Sequence, residues 1–242
     1  MNLKKKKKKI NSGVMIGEYL RRSVQYIKQQ TKQAMDLKPR MVDRETLFRF
    51  NTKEELRQWI VGSDADIGGL SEAYWAHTTN NTALLYGRLS MELPPQSRID
   101  KSGYVGIRSK EKPVVLFHRP VMDVSQFQYL QIRAKGDCHT WLVNLRTRSF
   151  LPSHVWQARL VFSTPGQWET VAIPFNDFVL TNKGFIVDVS QDGSILPFNK
   201  RRNTLDTASI TTIGLSLLRQ PGAFELELQS IEAVASHPSS IK

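Results

Sequence analysis

Residues 62–75, GSDADIGGLSEAYW, set two carboxylates, two adjacent glycines and a third acid into one short stretch. Alternating acids followed by a glycine are how a calcium loop wraps a hard cation in oxygen ligands. Asp64 and Asp66 have the opening spacing of such a loop, but Gly68 stands where its third acid belongs and Glu72 comes too early to close it. The stretch is no phosphate cradle either, because the Gly-Lys-Ser/Thr of a P-loop is missing. A simpler account needs only local bonds. Ser63 or Asp64 can accept from nearby backbone N–H groups, and Gly68-Gly69 allow positive φ or close packing. The expectation is a turn that bends and packs the chain, with Asp64 and Asp66 kept as metal candidates.

Other reactive side chains give no constellation. The histidines at 77, 118, 139, 154 and 237 show no metal-ligand spacing. His118 continues the alternation of Val114 and Leu116, as a hydrogen-bonded core or edge histidine would. The single cysteine, Cys138, permits neither an intramolecular disulfide nor a cysteine zinc site. It follows Gly136-Asp137 and reads as a turn or strand-edge residue, with His139 pointing to the opposite face of any strand they share. No Gly-x-Ser-x-Gly elbow occurs. Glu169, Glu225 and Glu227 fall on the wet side of alternating runs, where solvated charge is the ordinary explanation. No catalytic residue and no cofactor is indicated.

The elements around these residues are mostly strands. FELELQSI, ITTIGLSLL, YLQIRA, HTWLVNLRT, ARLVFS and TVAIPF alternate apolar and polar residues, the period of a sheet with one buried face. LFRF near 47–50, ALLYGRLSM near 83–91, YVGIR near 104–108 and VVLFHR near 114–119 are further candidates. Turn signals such as Pro94-Pro95, Ser102-Gly103, Thr164-Pro165-Gly166 and Pro221-Gly222 separate them. Half-wet sheets must bury their other face against a second sheet, so the fold class is all-β, a jelly-roll-like β-sandwich. The one strong helix signal is NTKEELRQWI, where Thr52 and Glu55 have capping-box spacing and Leu56, Trp59 and Ile60 form one apolar face. Residues 176–203 break the strand rhythm and read as a packed irregular loop carrying Phe185 and the basic triplet Lys200-Arg201-Arg202.

Charge divides the chain. Residues 1–44 hold 13 Lys and Arg against 3 acids, whereas residues 45–242 hold 21 against 19. A nucleic-acid-binding domain carries its positive charge on the folded body, so that function class is set aside. The segment after the lysine run is basic, poor in acids and apolar at helical spacing through Val14, Ile16, Tyr19, Leu20, Val24 and Ile27. A mitochondrial import leader has this pattern; so do a membrane-surface helix and an ordinary helix packed on the body. The expected organisation is a basic, partly helical leader over 1–44 and a β-sandwich over 45–242, with one short helix at its start.

Several stretches, taken in order, resemble the complex I intermediate-associated protein family. They are WIVGSDADIGGLSE, ALLYGRLS, SGYVGIRSK, DVSQFQYLQIRAKGD, WLVNLR, GQWETVAIPFNDF, LDTASITTIGLSLL and GAFELELQSIEAV, spread over about residues 46–234. The resemblance implies a galactose-binding-like β-sandwich and a non-catalytic assembly factor for mitochondrial respiratory complex I. It implies action at the matrix side of the inner membrane; peripheral membrane association, direct through residues 14–35 or mediated by partners, stays open at this point. The implied partners are complex I intermediates and other assembly factors, among them an acyl-CoA-dehydrogenase-like protein and an adaptor shared with innate signalling. The family offers no catalytic residues to carry over. Candidate interface residues are Arg148, Phe150, His154 and Trp156 in the basic, turn-rich LRTRSFLPSHVWQAR, together with Phe185, Lys200, Arg201 and Arg202. Two other function classes compete. One is a jelly-roll carbohydrate-binding module with a structural calcium at Asp64 and Asp66, and the other is a hydrolase on the same scaffold.

Overall fold

The structure is a computed structural model that describes residues 17–18, 20–28, 42–95, 102–115, 119–149, 151, 153–182, 185–186 and 204–236. The chain divides into two compact units, residues 1–41 with 112–120 and residues 42–111 with 121–242. In the first, residues 17–18 and 20–28 are helical, and Leu20, Val24 and Ile27 are exposed. No helix among the described residues is long and apolar enough to cross a membrane.

The second unit contains two antiparallel sheets. One has six strands in the order β3 (Glu72–His77), β4 (Ala83–Leu89), β13 (Gly222–Val234), β6 (Tyr129–Gly136) and β9 (Trp168–Pro174), with β1 (Arg44–Arg49) also on β13. The 13-residue β13 serves β4 with its first half and β1 with its second. The other has seven, in the order β11 (Phe185–Ile186), β10 (Val179–Asn182), β8 (His154–Leu160), β7 (Trp141–Thr147), β12 (Ile210–Leu218), β5 (Tyr104–Ser109) and β2 (Trp59–Ser63).

Alternation builds the core. Leu130, Ile132 and Ala134 on β6 and Leu226 and Leu228 on β13 point inward from one sheet. Trp141, Val143 and Leu145 on β7 and Ile213, Leu215 and Leu217 on β12 point inward from the other. All are fully buried and belong to one apolar cluster, as two facing half-wet sheets require.

The helix is shorter than its sequence signal. Helix α1 runs only from Lys53 to Leu56, although its Thr52–Glu55 capping box forms as expected. Trp59 and Ile60 belong to β2 instead, where Trp59 lies opposite Ser109. Trp59 packs against Phe48, Phe50 and Trp75, and that aromatic cluster outweighs the helical spacing. The 176–203 stretch is less irregular than expected, because Val179–Asn182 pairs with β8 and Phe185–Ile186 continues the sheet. Glu227 is not a solvated charge. It is buried, accepts from Thr82 and pairs with Lys135 at 3.1 Å. His118 lies outside the described residues.

Candidate functional site

The 62–71 stretch is organised around one buried side chain. Ser63, the last residue of β2, caps a 3-10 turn over Asp64–Ile67: its Oγ accepts from the Ala65 N–H, and its own N–H donates to Asp66 Oδ2, each at 3.3 Å. Gly68 closes the turn at φ 103°, a left-handed conformation that favours glycine. Asp64 is 2% exposed. Its Oδ1 accepts the Ser71 N–H at 2.9 Å. Its Oδ2 accepts from the Ser102 hydroxyl at 2.7 Å, the Ser71 hydroxyl at 3.0 Å and the N–H groups of Gly103 and Tyr104. Both hydroxyls also lie within bonding distance of the Ser90 carbonyl. One carboxylate thus ties the end of β2 to the start of β3, at Ser71, and to the start of β5, while the two serine hydroxyls reach the Ser90 carbonyl just beyond β4. Gly69 is needed for close approach, since a Cβ there would sit 2.4 Å from Asp64 Cγ.

Burial pushes the Asp64 carboxyl up, but the hydrogen bonds from Ser102, Gly103, Ser71 and Tyr104 outweigh it and hold the group below its ordinary 3.8. Each neighbour presents a hydrogen, whereas a cation needs lone pairs. The cluster therefore suits an anion, which the chain supplies itself. Asp66 faces solvent and serves the Ser63 cap, so the two candidate ligands are engaged separately. Among the described residues, no three His, Cys, Asp or Glu side chains come together to hold a metal ion.

The interface candidates scatter. Arg148 is exposed just beyond β7, where its N–H donates to the Ser209 carbonyl at 3.0 Å. His154 opens β8 opposite Asn182, which in turn lies opposite Phe185, so His154 and Phe185 share one row at the edge of the seven-stranded sheet. Phe185 is 67% exposed. Trp156, one of the interface candidates, is a core residue, because the β8 alternation turns it inward with Ala158 and Leu160. Phe150, Lys200, Arg201 and Arg202 lie outside the described residues.

The outer face of the seven-stranded sheet forms a site that the sequence did not single out. Tyr104 and Arg108 on β5, Asn144 and Arg146 on β7, and Gln157 on β8 line an open groove of about 300 Å³ across β12. Arg108 and Asn144 flank Gly214 from either side, and Arg146 lies opposite Thr212. The Gln157 amide donates to Asn144 Oδ1 at 2.7 Å, and the Asn144 amide donates to Ser216 Oγ at 2.8 Å. An adjoining depression is lined by Thr140, Leu142, Arg159, Leu218 and Gln220. Burial pushes the Tyr104 phenol up, while the Arg146 and Arg108 charges pull the other way and the Asp66 charge adds to the rise. Tyr104 therefore stays protonated at neutral pH. The signal was present in YVGIR, WLVNLR and HVWQAR, where each polar residue alternates with a core residue. Strand order, which the sequence does not show, is what makes them neighbours.

Comparison with known proteins gives one consistent family. The family model described as Complex I intermediate-associated protein 30 matches residues 48–228. A Neurospora crassa protein named complex I intermediate-associated protein 30, mitochondrial, is 33% identical over 211 residues, covering 77% of this chain and 72% of that protein. A mouse protein of the same name is 34% identical over 190 residues, covering 76% of this chain and 54% of the mouse protein. The chain thus spans about half the length of that relative. Among solved structures, a family 11 carbohydrate-binding module from a Clostridium thermocellum cellulase superposes with a TM-score of 0.51 at 14% identity, covering 80% of this chain and 95% of the module. At that identity the likeness shows the fold alone.

Proposed function

The chain belongs to the complex I intermediate-associated protein 30 family, and on that premise we propose that it serves the assembly of respiratory complex I in mitochondria by binding other polypeptides. The observation that carries this reading is the family match, which runs over residues 48–228 and so takes in most of both sheets. The protein acts on the matrix side of the inner membrane. It associates with complex I intermediates, an acyl-CoA-dehydrogenase-like assembly factor and an adaptor shared with innate signalling, and it needs no catalytic centre to do so. The N-terminal helical segment supports peripheral membrane association: Leu20, Val24 and Ile27 are exposed on it, and Arg21, Arg22 and Lys28 accompany them.

Affinity purification of the tagged chain from mitochondria tests the reading. Complex I subunits and assembly factors are expected to co-purify. Their absence, with the chain located outside mitochondria, refutes it. The carbohydrate-binding alternative has only fold likeness behind it.

A further inference from the structure

The two sheets treat charge differently on their outer faces. The strands of the six-stranded sheet carry Glu45, Glu72, Glu169, Glu225, Glu227 and Glu232; Lys135 pairs with Glu227 and Arg44 with Glu232, each at 3.1 Å, Arg133 donates to Thr170 and Gln229, and Arg49 and Arg88 are exposed. On the seven-stranded sheet Arg108, Arg146 and Arg159 are exposed. Among the described residues none of the three has a side-chain hydrogen bond or ion pair, and no Asp or Glu lines either depression. In a body with 21 bases and 19 acids this is a segregation of charge. Three guanidinium groups on a face whose strands carry no Asp or Glu repel one another and leave planar donor forks unused, with the Asp66 charge reaching only the Tyr104 end of the groove, and those forks match carboxylates in pairs.

The floor of the groove limits what can lie there. Gly214 sits between Arg108 and Asn144, and a Cβ at Gly214 would come within 2.8 Å of the Ile107 carbonyl oxygen. With no side chain at Gly214, the sheet backbone itself forms the floor there. The Gln157–Asn144–Ser216 ladder beside it offers amide and hydroxyl groups to peptide N–H and C=O. At about 300 Å³ the groove lies at the lower limit of small-ligand clefts and is only partly enclosed. Strands β5 and β7 flank β12, so Arg108 and Arg146 are rooted roughly 10 Å apart across the sheet. Arg159 is four residues from the position facing Arg146, roughly 13 Å along β8. About three to five residues of extended chain span such distances.

We propose that the outer face of the seven-stranded sheet is a docking site for an extended acidic segment of a partner polypeptide, whose carboxylates are held by Arg108, Arg146 and Arg159. The inference rests on the assembly reading and specifies the surface and the chemistry it uses. Charge complementarity selects an acidic occupant, and the amide ladder selects a polypeptide over a bare anion.

The test uses the full chain, tagged, in mitochondria lacking the endogenous copy. Arg108, Arg146 and Arg159 are changed to Glu together, with Arg57→Glu on the exposed surface as control. In a parallel chain a benzophenone photoprobe replaces Leu142, and the cross-linked peptide is sequenced. The triple reversal is expected to fold with an unchanged Tm and to lose association with complex I intermediates by roughly thirtyfold or more, whereas the control keeps it. The photoprobe is expected to capture a segment of a complex I subunit or assembly factor that contains Asp or Glu. A folded triple reversal that retains association overturns the proposal. So does a cross-link to a lipid, a glycan or a segment without acids. If the triple variant fails to fold, Arg108→Gln and Arg146→Gln carry the same comparison singly. Wild-type chain that isolates without any complex I intermediate refutes the assembly reading itself, which separates the two failures.

Discussion

Replacing Asp64 by asparagine changes a single atom type at the most heavily bonded side chain of the turn. The wild-type carboxylate accepts five hydrogen bonds, one on Oδ1 and four on Oδ2. An asparagine that keeps its oxygen at the Oδ2 position points its NH2 at the Ser71 N–H, so two donors face each other in a buried site. That mismatch costs about 1–3 kcal/mol, and each remaining bond to a neutral acceptor is weaker than one to a carboxylate by roughly half. Four bonds so weakened lose about 3–6 kcal/mol, the desolvation cost that disappears with the buried charge offsets part of the total, and the net loss is about 4 kcal/mol. In a domain of this size each kcal/mol shifts Tm by about 2–4 °C, which predicts a fall of roughly 8–16 °C by calorimetry. Asp66→Asn is the control; it weakens one exposed bond of 3.3 Å and is expected to cost under about 1 kcal/mol.

The pH profile supplies a second check. The folded-state pKa of Asp64 is depressed, so its stabilisation is full above the unfolded value, ordinarily 3.8, and is lost as the pH falls through the folded value. The Asp64→Asn variant lacks this part of the acid limb, and its deficit relative to wild type shrinks in strong acid. An Asp64→Asn protein melting within about 2 °C of wild type at neutral pH refutes the clamp.

Four further outcomes test the turn, the core and the competing reading. Gly69→Ala places a Cβ 2.4 Å from Asp64 Cγ and is expected to destabilise by about 2–3 kcal/mol in chemical denaturation. Trp141→Ala empties a fully buried position against Phe224 and is expected to cost about 3–5 kcal/mol in the same assay. Calcium at millimolar concentration is expected to leave Tm unchanged, because hydrogen donors surround Asp64, and titration with a panel of glycans is expected to be flat. A calcium-dependent rise in Tm or a saturable glycan isotherm favours the carbohydrate-binding alternative.

The sandwich was legible where the buried face is filled with large aliphatic side chains, as in β6, β7, β12 and β13. It was hard to read where alternation is blunt. In EAYWAH the inward positions include Ala73 and Trp75 while alanine also fills position 76, so β3 carries no clean period. In β2 the run Trp59-Ile60-Val61 continues a helical spacing begun at Leu56, and only pairing with β5 decides for strand. The turn at 62–71 could be read as a bend, but not the burial of Asp64, because Ser102, Gly103 and Tyr104 lie 38–40 residues away in sequence. The arginine face is not legible in the sequence for the same reason: Arg108, Arg146 and Arg159 belong to three strands, and strand order sets their proximity. The basic, turn-rich flanks of Trp156 obscure the inward rhythm of Trp156, Ala158 and Leu160 in the sequence.

The role in assembly is tested most directly by deleting the gene in its own organism and measuring fully assembled complex I in native gels of isolated mitochondria. Depleted complex I with accumulated subassemblies, restored by wild-type chain, is the predicted result. Complex I present at normal amount and activity without the protein contradicts the account.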